Sequence, residues 1–305
     1  MLKVVTLTQL MDEISAEAEH TVAVAAAADY EVFKAVSVAV ERKFANFQLY
    51  DDEAKLKKMI HADFPHLIDH PKIKVHHAAG ADQAAEQAVK SVYINDSNVL
   101  MKGQIPTAIL MKAVLNRDFG LRTGNILSHV AAFEIPGFDR LLFLTDAGMN
   151  INPDLQRKAQ IIQNAVQVAQ SIGVTKPIVA PLAAIEVINP AMPATLDAAA
   201  LAAMNRRGQI TDCIVDGPLA LDNAISINAA KHKGISGDTA GNADILLVPN
   251  IESGNILYKS LVYFSKAKVG GLIAGAKAPI VLTSRADSAE SKLYSLALAL
   301  RSSNI

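Results

Sequence analysis

The feature that most constrains this chain is a repeated alternation of short, continuous apolar runs with longer amphipathic segments. Continuous runs indicate strands buried on both faces, because a half-exposed strand alternates apolar with polar residues. Such strands separated by helical patterns, among them 154–172 and 222–233, predict an α/β fold with a mostly parallel sheet covered by helices. The predicted strands are 22–27, 73–78, 98–103, 141–147, 177–183, 213–219, 244–250, 271–276 and 279–284.

The composition excludes several partners. The 305 residues carry a formal net charge of −1, with Lys and Arg spread along the chain, so neither nucleic acid nor an anionic membrane surface is an expected partner. No apolar run approaches the length of a membrane span, and the first 15 residues lack a signal pattern. We therefore expect a cytoplasmic protein. The single cysteine, Cys213, opens an apolar strand and is expected to be a small buried core residue.

Polar and glycine-rich turns follow four of the predicted strands. The carboxyl ends of parallel strands are where α/β sheets bind ligands, so four such turns predict a shared binding edge. In the last of them, Ser284 and Arg285 stand between a strand and a helix that Ser288 is predicted to cap, and the planar guanidinium suits phosphate. The turns are 145–150, 216–223, 249–255 and 284–288.

Common cofactor and metal motifs are missing. GGLIAGAKA (270–278) lacks the Gly-Lys-Ser/Thr ending of a phosphate-binding loop, and no Gly-x-Gly-x-x-Gly follows a strand. His76 and His77 point to opposite faces of a predicted strand, while prolines bracket His66 and His70. We expect no metal and no nicotinamide cofactor.

Four long motifs carry a family resemblance. DGPLALDNAIS (216–226), ADILLVPNIESGNILYKSLVYF (243–264), APIVLTSRADS (278–288) and the segment from GLRTGNILSHV to DLQRKA (120–159) resemble the phosphate acetyl/butyryltransferase family. The forms of NIESGN and TSRADS favour its butyryl branch. The resemblance covers most of the chain and extends more loosely to its N-terminal third.

The resemblance implies two α/β/α domains around a cleft, similar to isocitrate and isopropylmalate dehydrogenases. Residues 1–125 plus 279–305 would form one domain and 126–278 the other. It also implies a homodimer or larger homo-oligomer.

The implied reaction passes an acyl group directly between CoA and inorganic phosphate, which are substrates, with no cofactor. Arg285 matches the family's phosphate-binding arginine, and Ser284 matches the serine that donates a hydrogen bond near the sulfur or the developing oxyanion. Lys112 lies near the position of a second cation that acetyl-type relatives carry as arginine, and it would act as a point charge.

The residue that accepts the thiol proton is left open, because Ser291 stands where acetyl-type relatives have an aspartate. Glu290 is the favoured base, with Asp287 and Glu252 as alternatives, and Asp287 is otherwise a charge at the helix terminus.

The NIESGN helix supplies further candidates for the CoA or acyl-phosphate side. These are Asn250, Glu252, Gly254, Asn255 and Tyr258, whose alternative roles are turn geometry, helix capping and, for Tyr258, core packing. For 216–218 a supporting turn is favoured over direct contact. The alternatives for the whole chain are an acetyl-CoA-preferring enzyme, a non-catalytic acyl-CoA sensor and, least favoured, a dehydrogenase.

Overall fold

The computed structural model describes residues 6–14, 20–235, 239–282 and 287–303. The helices are α1 (Leu7–Ile14), α2 (Tyr30–Glu41), α3 (Glu53–Asp63), α4 (Ala81–Tyr93), α5 (Thr107–Val114), α6 (Leu155–Ser171), α7 (Pro193–Arg206), α8 (Leu221–Ile225), α9 (Ile227–His232), α10 (Ile251–Tyr263) and α11 (Ala289–Ser302), with a 3₁₀ turn at Pro65–Leu67. The strands are β1 (Thr21–Ala25), β2 (Asn46–Asp51), β3 (Ile73–His77), β4 (Val99–Lys102), β5 (Ser128–Glu134), β6 (Leu142–Thr145), β7 (Ile178–Pro181), β8 (Ile214–Val215), β9 (Ile245–Leu247), β10 (Lys268–Ala274) and β11 (Ile280–Val281).

The chain divides into two compact units. The outer unit comprises Thr8–Asn125 and Gly270–Ile305, and the central unit comprises Met1–Leu7 and Ile126–Val269. This division sets residues 1–7 with the central unit and 270–278 with the outer one. The predicted domain ranges differ at these two places and stay a prediction.

The strands of the outer unit follow the order β3-β2-β1-β4-β11-β10. Every pair is parallel except β10 with β11, which is antiparallel at Ile273 and Ile280. Helix α11 packs against α2 and β11, and every residue from 292 to 300 of this helix is buried. The rings of Tyr294 and Phe33 lie among the largest fully buried side chains.

The strands of the central unit follow the order β5-β6-β9-β7-β8. Strands β6, β9, β7 and β8 are parallel, and β5 is antiparallel to β6. Helix α6 packs against β5, β6 and β9. The Asp154 carboxylate caps the start of α6 and accepts the Arg157 amide at 2.8 Å. The predicted helix 154–172 is therefore confirmed, and its two end residues are the N-cap and the C-cap of α6.

Each of the nine predicted strands overlaps a strand of the structure, and the mostly parallel sheet is confirmed. Strand β10 begins three residues earlier than predicted. Strands β2 and β5 were missed because polar residues interrupt their apolar pattern. In β2, buried Gln48 donates to the Asp96 carboxylate at 2.8 Å and accepts the Tyr50 hydroxyl at 2.6 Å. In β5, the Ser128 hydroxyl accepts from Asn164 at 2.9 Å. Distant partners satisfy these polar groups, which a local pattern does not report.

The predicted helix 222–233 is two helices, α8 and α9, that meet at Ser226. Its hydroxyl accepts the amide of Ala229 and so begins the second helix. Within the described part of the chain, no helix has both the length and the apolarity that crossing a bilayer demands.

Candidate functional site

The strongest sequence prediction falls on the segment of the chain between β11 and α11. Ser284 and Arg285 lie outside the described residues, so their predicted roles stay predictions. The flanks are described: Val281 pairs in parallel with Met101 of β4, and the Ser288 hydroxyl accepts the Ser291 amide at 3.1 Å. The predicted cap at Ser288 is therefore confirmed.

The candidate bases of the outer unit lie at the amino end of α11. Glu290 is exposed in the first turn, and its Oε1 accepts the Tyr294 hydroxyl at 2.6 Å. Asp287 precedes the cap, and its backbone carbonyl accepts from Lys292 Nζ at 2.6 Å. Ser291, which stands where acetyl-type relatives have an aspartate, donates its backbone amide to the Ser288 hydroxyl. Lys112 is exposed in the last turn of α5.

In the central unit, the NIESGN segment forms the first turns of α10. Asn250 is the N-cap, and its Oδ1 accepts the amide of Ser253 at 3.0 Å and its hydroxyl at 2.7 Å. The alternative reading of Asn250 as a helix cap is thus confirmed, while its contact with substrate stays a prediction. Glu252 is exposed in the first turn, where the helix dipole favours its negative charge.

Gly254 is the one buried residue of α10. A methyl group there would lie 2.9 Å from Ala147 Cα, the Asp146 carbonyl oxygen and Val248 Cγ2. Glycine is required because the helix backbone packs directly on the turn after β6. Farther along α10, Asn255 is exposed, and Tyr258 packs edge-on against Phe133 with ring centroids 5.2 Å apart.

The turn on which α10 packs is organised by a buried carboxylate. Asp146, 2 % exposed, accepts the amides of Gly148 and Met149 at 2.9 Å and Asn150 Nδ2 at 2.6 Å. The turn 145–150 is predicted from the sequence, but the role of Asp146 within it is not. The signal was present in DAGMN, because an aspartate two residues before a glycine commonly accepts backbone amides of its own turn.

An apolar pocket of about 430 Å³ opens beside the amino end of α10. Residues just beyond the carboxyl ends of β7 and β9 form two of its walls, and the starts of α7 and α10 complete it. Among the residues that the structure describes, its lining includes no charged side chain. It consists of Leu182, Ala183, Ala184, Met192, Pro193, Ala194, Val248, Pro249, Ser253 and Leu257.

The single cysteine is inert. Cys213 is 5 % exposed, and burial raises the pKa of its thiol to about 11. It is therefore protonated near neutral pH, which confirms its prediction as a core residue. The described residues also contain no cluster of three His, Cys, Asp or Glu side chains suited to a metal ion.

The structure thus groups the candidates by unit. Asn250 caps α10 of the central unit, and Glu252, Gly254, Asn255 and Tyr258 lie on this helix beside the apolar pocket. Lys112, Asp287 and Glu290 belong to the outer unit.

Comparison with known proteins defines the class. The model of the phosphate acetyl/butaryl transferase family matches residues 67–300, and the chain belongs to this family of acyltransferase enzymes.

Individual relatives extend the match along the chain. The chain is 55% identical to a probable phosphate butyryltransferase of Bacillus subtilis over 96% of its own length and 97% of that protein. It is 46% identical to a phosphate butyryltransferase of Clostridium beijerinckii over 95% of each. Among solved structures, a branched-chain phosphotransacylase from Enterococcus faecalis superimposes with a TM-score of 0.83 at 39% identity, covering 93% of this chain and 99% of that one.

Proposed function

We propose that this protein is a phosphate butyryltransferase, which moves a short, butyryl-like acyl group between CoA and inorganic phosphate. The observation that carries the proposal is the similarity to phosphate butyryltransferases along almost the whole of both chains. Family membership supports the reaction type, and the named relatives support the acyl group.

The proposed step is a direct transfer in a ternary complex. A phosphate oxygen attacks the thioester carbonyl, the carbon–sulfur bond breaks, and a carboxylic acid of the enzyme protonates the departing sulfur, so acyl phosphate and CoA thiol result. The proton lost by hydrogen phosphate returns that acid to its protonated form. Arg285 binds the phosphate, and Ser284 donates a hydrogen bond at the sulfur or the oxyanion. In the reverse direction a carboxylate, for which Glu290 is our choice, accepts the thiol proton.

The hydrocarbon part of the substrate is proposed to bind in the apolar pocket beside α10. An uncharged lining suits an acyl chain or the pantetheine arm and offers no cation to the CoA phosphates. Because the pocket of about 430 Å³ exceeds a four-carbon chain in size, it supports branched or somewhat longer acyl groups as well.

The finer architecture is also proposed: two α/β/α domains around a cleft, as in isocitrate dehydrogenase, assembled as a homodimer or larger homo-oligomer in the cytoplasm. No cofactor beyond the two substrates is invoked. A crystal structure with CoA and phosphate would test the architecture, and light scattering in solution would test the assembly.

The activity itself is tested by mixing the purified protein with butyryl-CoA, with and without phosphate. We expect CoA release that depends on phosphate, together with an acyl phosphate that hydroxylamine converts to a hydroxamate. Binding of butyryl-CoA without turnover would instead support the sensor reading. Activity that requires NAD would contradict an acyltransferase.

A second candidate is an acetyl-CoA-preferring enzyme, because the family model covers both acetyl and butyryl transferases. Comparing kcat/KM across acyl chain lengths separates the two.

A further inference from the structure

A buried ion pair joins helices α6 and α7 of the central unit. Lys158 Nζ on α6 donates to Asp197 Oδ2 on α7 at 2.6 Å, and the two side chains are 6 % and 31 % exposed. Among the residues that the structure describes, Asp197 is the one partner of this ammonium group. Because taking two charges out of water costs free energy that their attraction often fails to recover, fold stability alone does not account for an ion pair in this place.

The ion pair lies next to the apolar pocket beside α10. A narrow cavity of about 10 Å³ continues from that pocket, and Lys158 and Asp197 are part of its lining. A cavity of this size holds about one water molecule at most, so the room for a ligand ends at the ion pair. The residues that line both the pocket and the narrow cavity are Leu182, Ala194, Val248 and Pro249.

The narrow cavity is the deeper part of the pocket. Its lining includes Pro181 and Leu247, which are the last residues of β7 and β9. The residue that follows each of them in sequence also lines the wider pocket. Asp197 comes three residues after Ala194 and therefore lies on the same face of α7. The pocket thus runs inward from the edge of the sheet, along one face of α7, to the ion pair.

This arrangement limits how far an acyl chain can extend. Each methylene group placed in the wider pocket leaves water for apolar surroundings, which favours binding. A chain that grows past the inner end of the pocket would have to cover the Asp197 carboxylate and remove its remaining water. It would also have to separate two groups that attract each other strongly where water is excluded. Added methylene groups therefore stop improving binding where the chain meets the ion pair.

We propose that the Lys158–Asp197 ion pair closes the acyl pocket and sets the longest acyl chain that the enzyme accepts. The proposal rests on the proposed function for the identity of the ligand, an acyl-CoA. Lys158 and Asp197 are specificity-determining residues and not catalytic ones, because they face the hydrocarbon end of the acyl group rather than its thioester.

The test compares the wild type with the double variant Lys158→Met/Asp197→Ala, which removes both charges and shortens both side chains. The substrates are straight-chain acyl-CoA esters from butyryl-CoA to decanoyl-CoA, each with phosphate. For the first ester past the wild-type limit, we expect kcat/KM to rise about tenfold or more in the double variant, while kcat/KM for butyryl-CoA changes less than about threefold. An unchanged chain-length profile would overturn the proposal.

Two further variants isolate the charge of the ion pair. The matched control is Lys57→Met/Glu53→Ala, because that ion pair also has an N–O distance of 2.6 Å but its side chains are 60 % and 46 % exposed on α3. Its chain-length profile should equal that of the wild type. Lys158→Arg keeps the positive charge and should keep the wild-type limit. A limit as long in Lys158→Arg as in the double variant would contradict the role of the ion pair.

Direct binding separates this proposal from the proposed function. Calorimetry without phosphate measures the affinity for the same esters, whether or not the protein turns them over. The first ester that binds the wild type more weakly than its shorter neighbour should bind the double variant about tenfold more tightly. If the wild type transfers butyryl groups but both proteins bind that ester equally, the role of the ion pair is rejected and the proposed function stands. If the affinity shifts but neither protein has transferase activity, the ion pair keeps its role and the proposed function fails.

If the double variant does not fold, the wild type still answers the question. In a lysine-labelled NMR spectrum, the side-chain signal that is missing from Lys158→Arg belongs to Lys158. The longest acyl-CoA that the wild type binds should move that signal, because the end of its chain contacts the ion pair. CoA without an acyl group should leave the signal in place. A signal that responds equally to both ligands, or to neither, would refute the contact.

Discussion

Arg285 is the residue on which the proposed chemistry depends most, because its guanidinium group is proposed to bind the phosphate. We expect Arg285→Ala to lower kcat/KM about 100-fold or more, because a fixed cation would be lost from the charge that develops in the transition state. The matched control is Arg42→Ala, which removes an exposed arginine 3.3 Å from Asp12. Steady-state kinetics and thermal unfolding measure both variants. Near-normal turnover in a folded Arg285→Ala enzyme would disprove the assignment.

The carboxylate at position 290 is the proposed proton acceptor. We expect Glu290→Gln to slow acyl-CoA formation from butyryl phosphate and CoA about 100-fold, because general base catalysis contributes on that order. Glu86→Gln is the control, since Glu86 is a half-exposed helical carboxylate paired with Lys90. If Glu290→Gln keeps full activity and Asp287→Asn loses it, the base is Asp287. The Tyr294 hydroxyl at Glu290 then has a structural role alone.

At the scale of elements, the start of α10 depends on its cap. Asn250→Ala should destabilise the protein by about 1 kcal/mol, because the amide of Ser253 loses its acceptor. Asn250→Asp keeps an acceptor oxygen and should restore stability. The Asn250→Asp variant separates the role of Asn250 as a helix cap from a contact with substrate. If this variant is stable but inactive, the side-chain amide group also contacts substrate. If it is stable and active, helix capping accounts for the role of Asn250. Chemical denaturation and kcat/KM provide the two readouts.

The packing of α10 on the turn after β6 gives a second prediction at this scale. Gly254→Ala adds helix propensity of about 1 kcal/mol, but overpacking against backbone costs about 1–3 kcal/mol. Steric repulsion should win, and the midpoint temperature should fall by a few degrees. Gly148→Ala is the control, because a methyl group there would lie 3.5 Å from His129, an ordinary contact. An unchanged midpoint for Gly254→Ala would show that α10 moves aside freely.

At the scale of the whole molecule, the preferred acyl chain is proposed to depend on the apolar pocket, which residues from distant parts of the chain form. Ala194→Leu fills part of the pocket and should reduce kcat/KM for butyryl-CoA about tenfold while acetyl-CoA changes less than about twofold, since each methylene in an apolar pocket contributes about 1–3 kcal/mol. Ala203→Leu, exposed on the same helix α7, is the control. Equal effects on kcat/KM for both substrates would show that this pocket does not determine which acyl chain length the enzyme prefers.

The sequence alone determined the features that depend on neighbouring residues: nine strands from continuous apolar runs, the mostly parallel sheet, the cap at Ser288 and the motifs of the family. Local patterns determine these features because strand burial, helix capping and motif spacing each depend on a few residues that are neighbours in sequence. Only the tertiary structure decided that β2 and β5 are strands, that Gly254 must lack a side chain and that ten residues from distant parts of the chain line an apolar pocket. The physical reason is that hydrogen bonds to buried polar groups, close backbone packing and strand register join residues far apart in sequence, and no local window contains both partners.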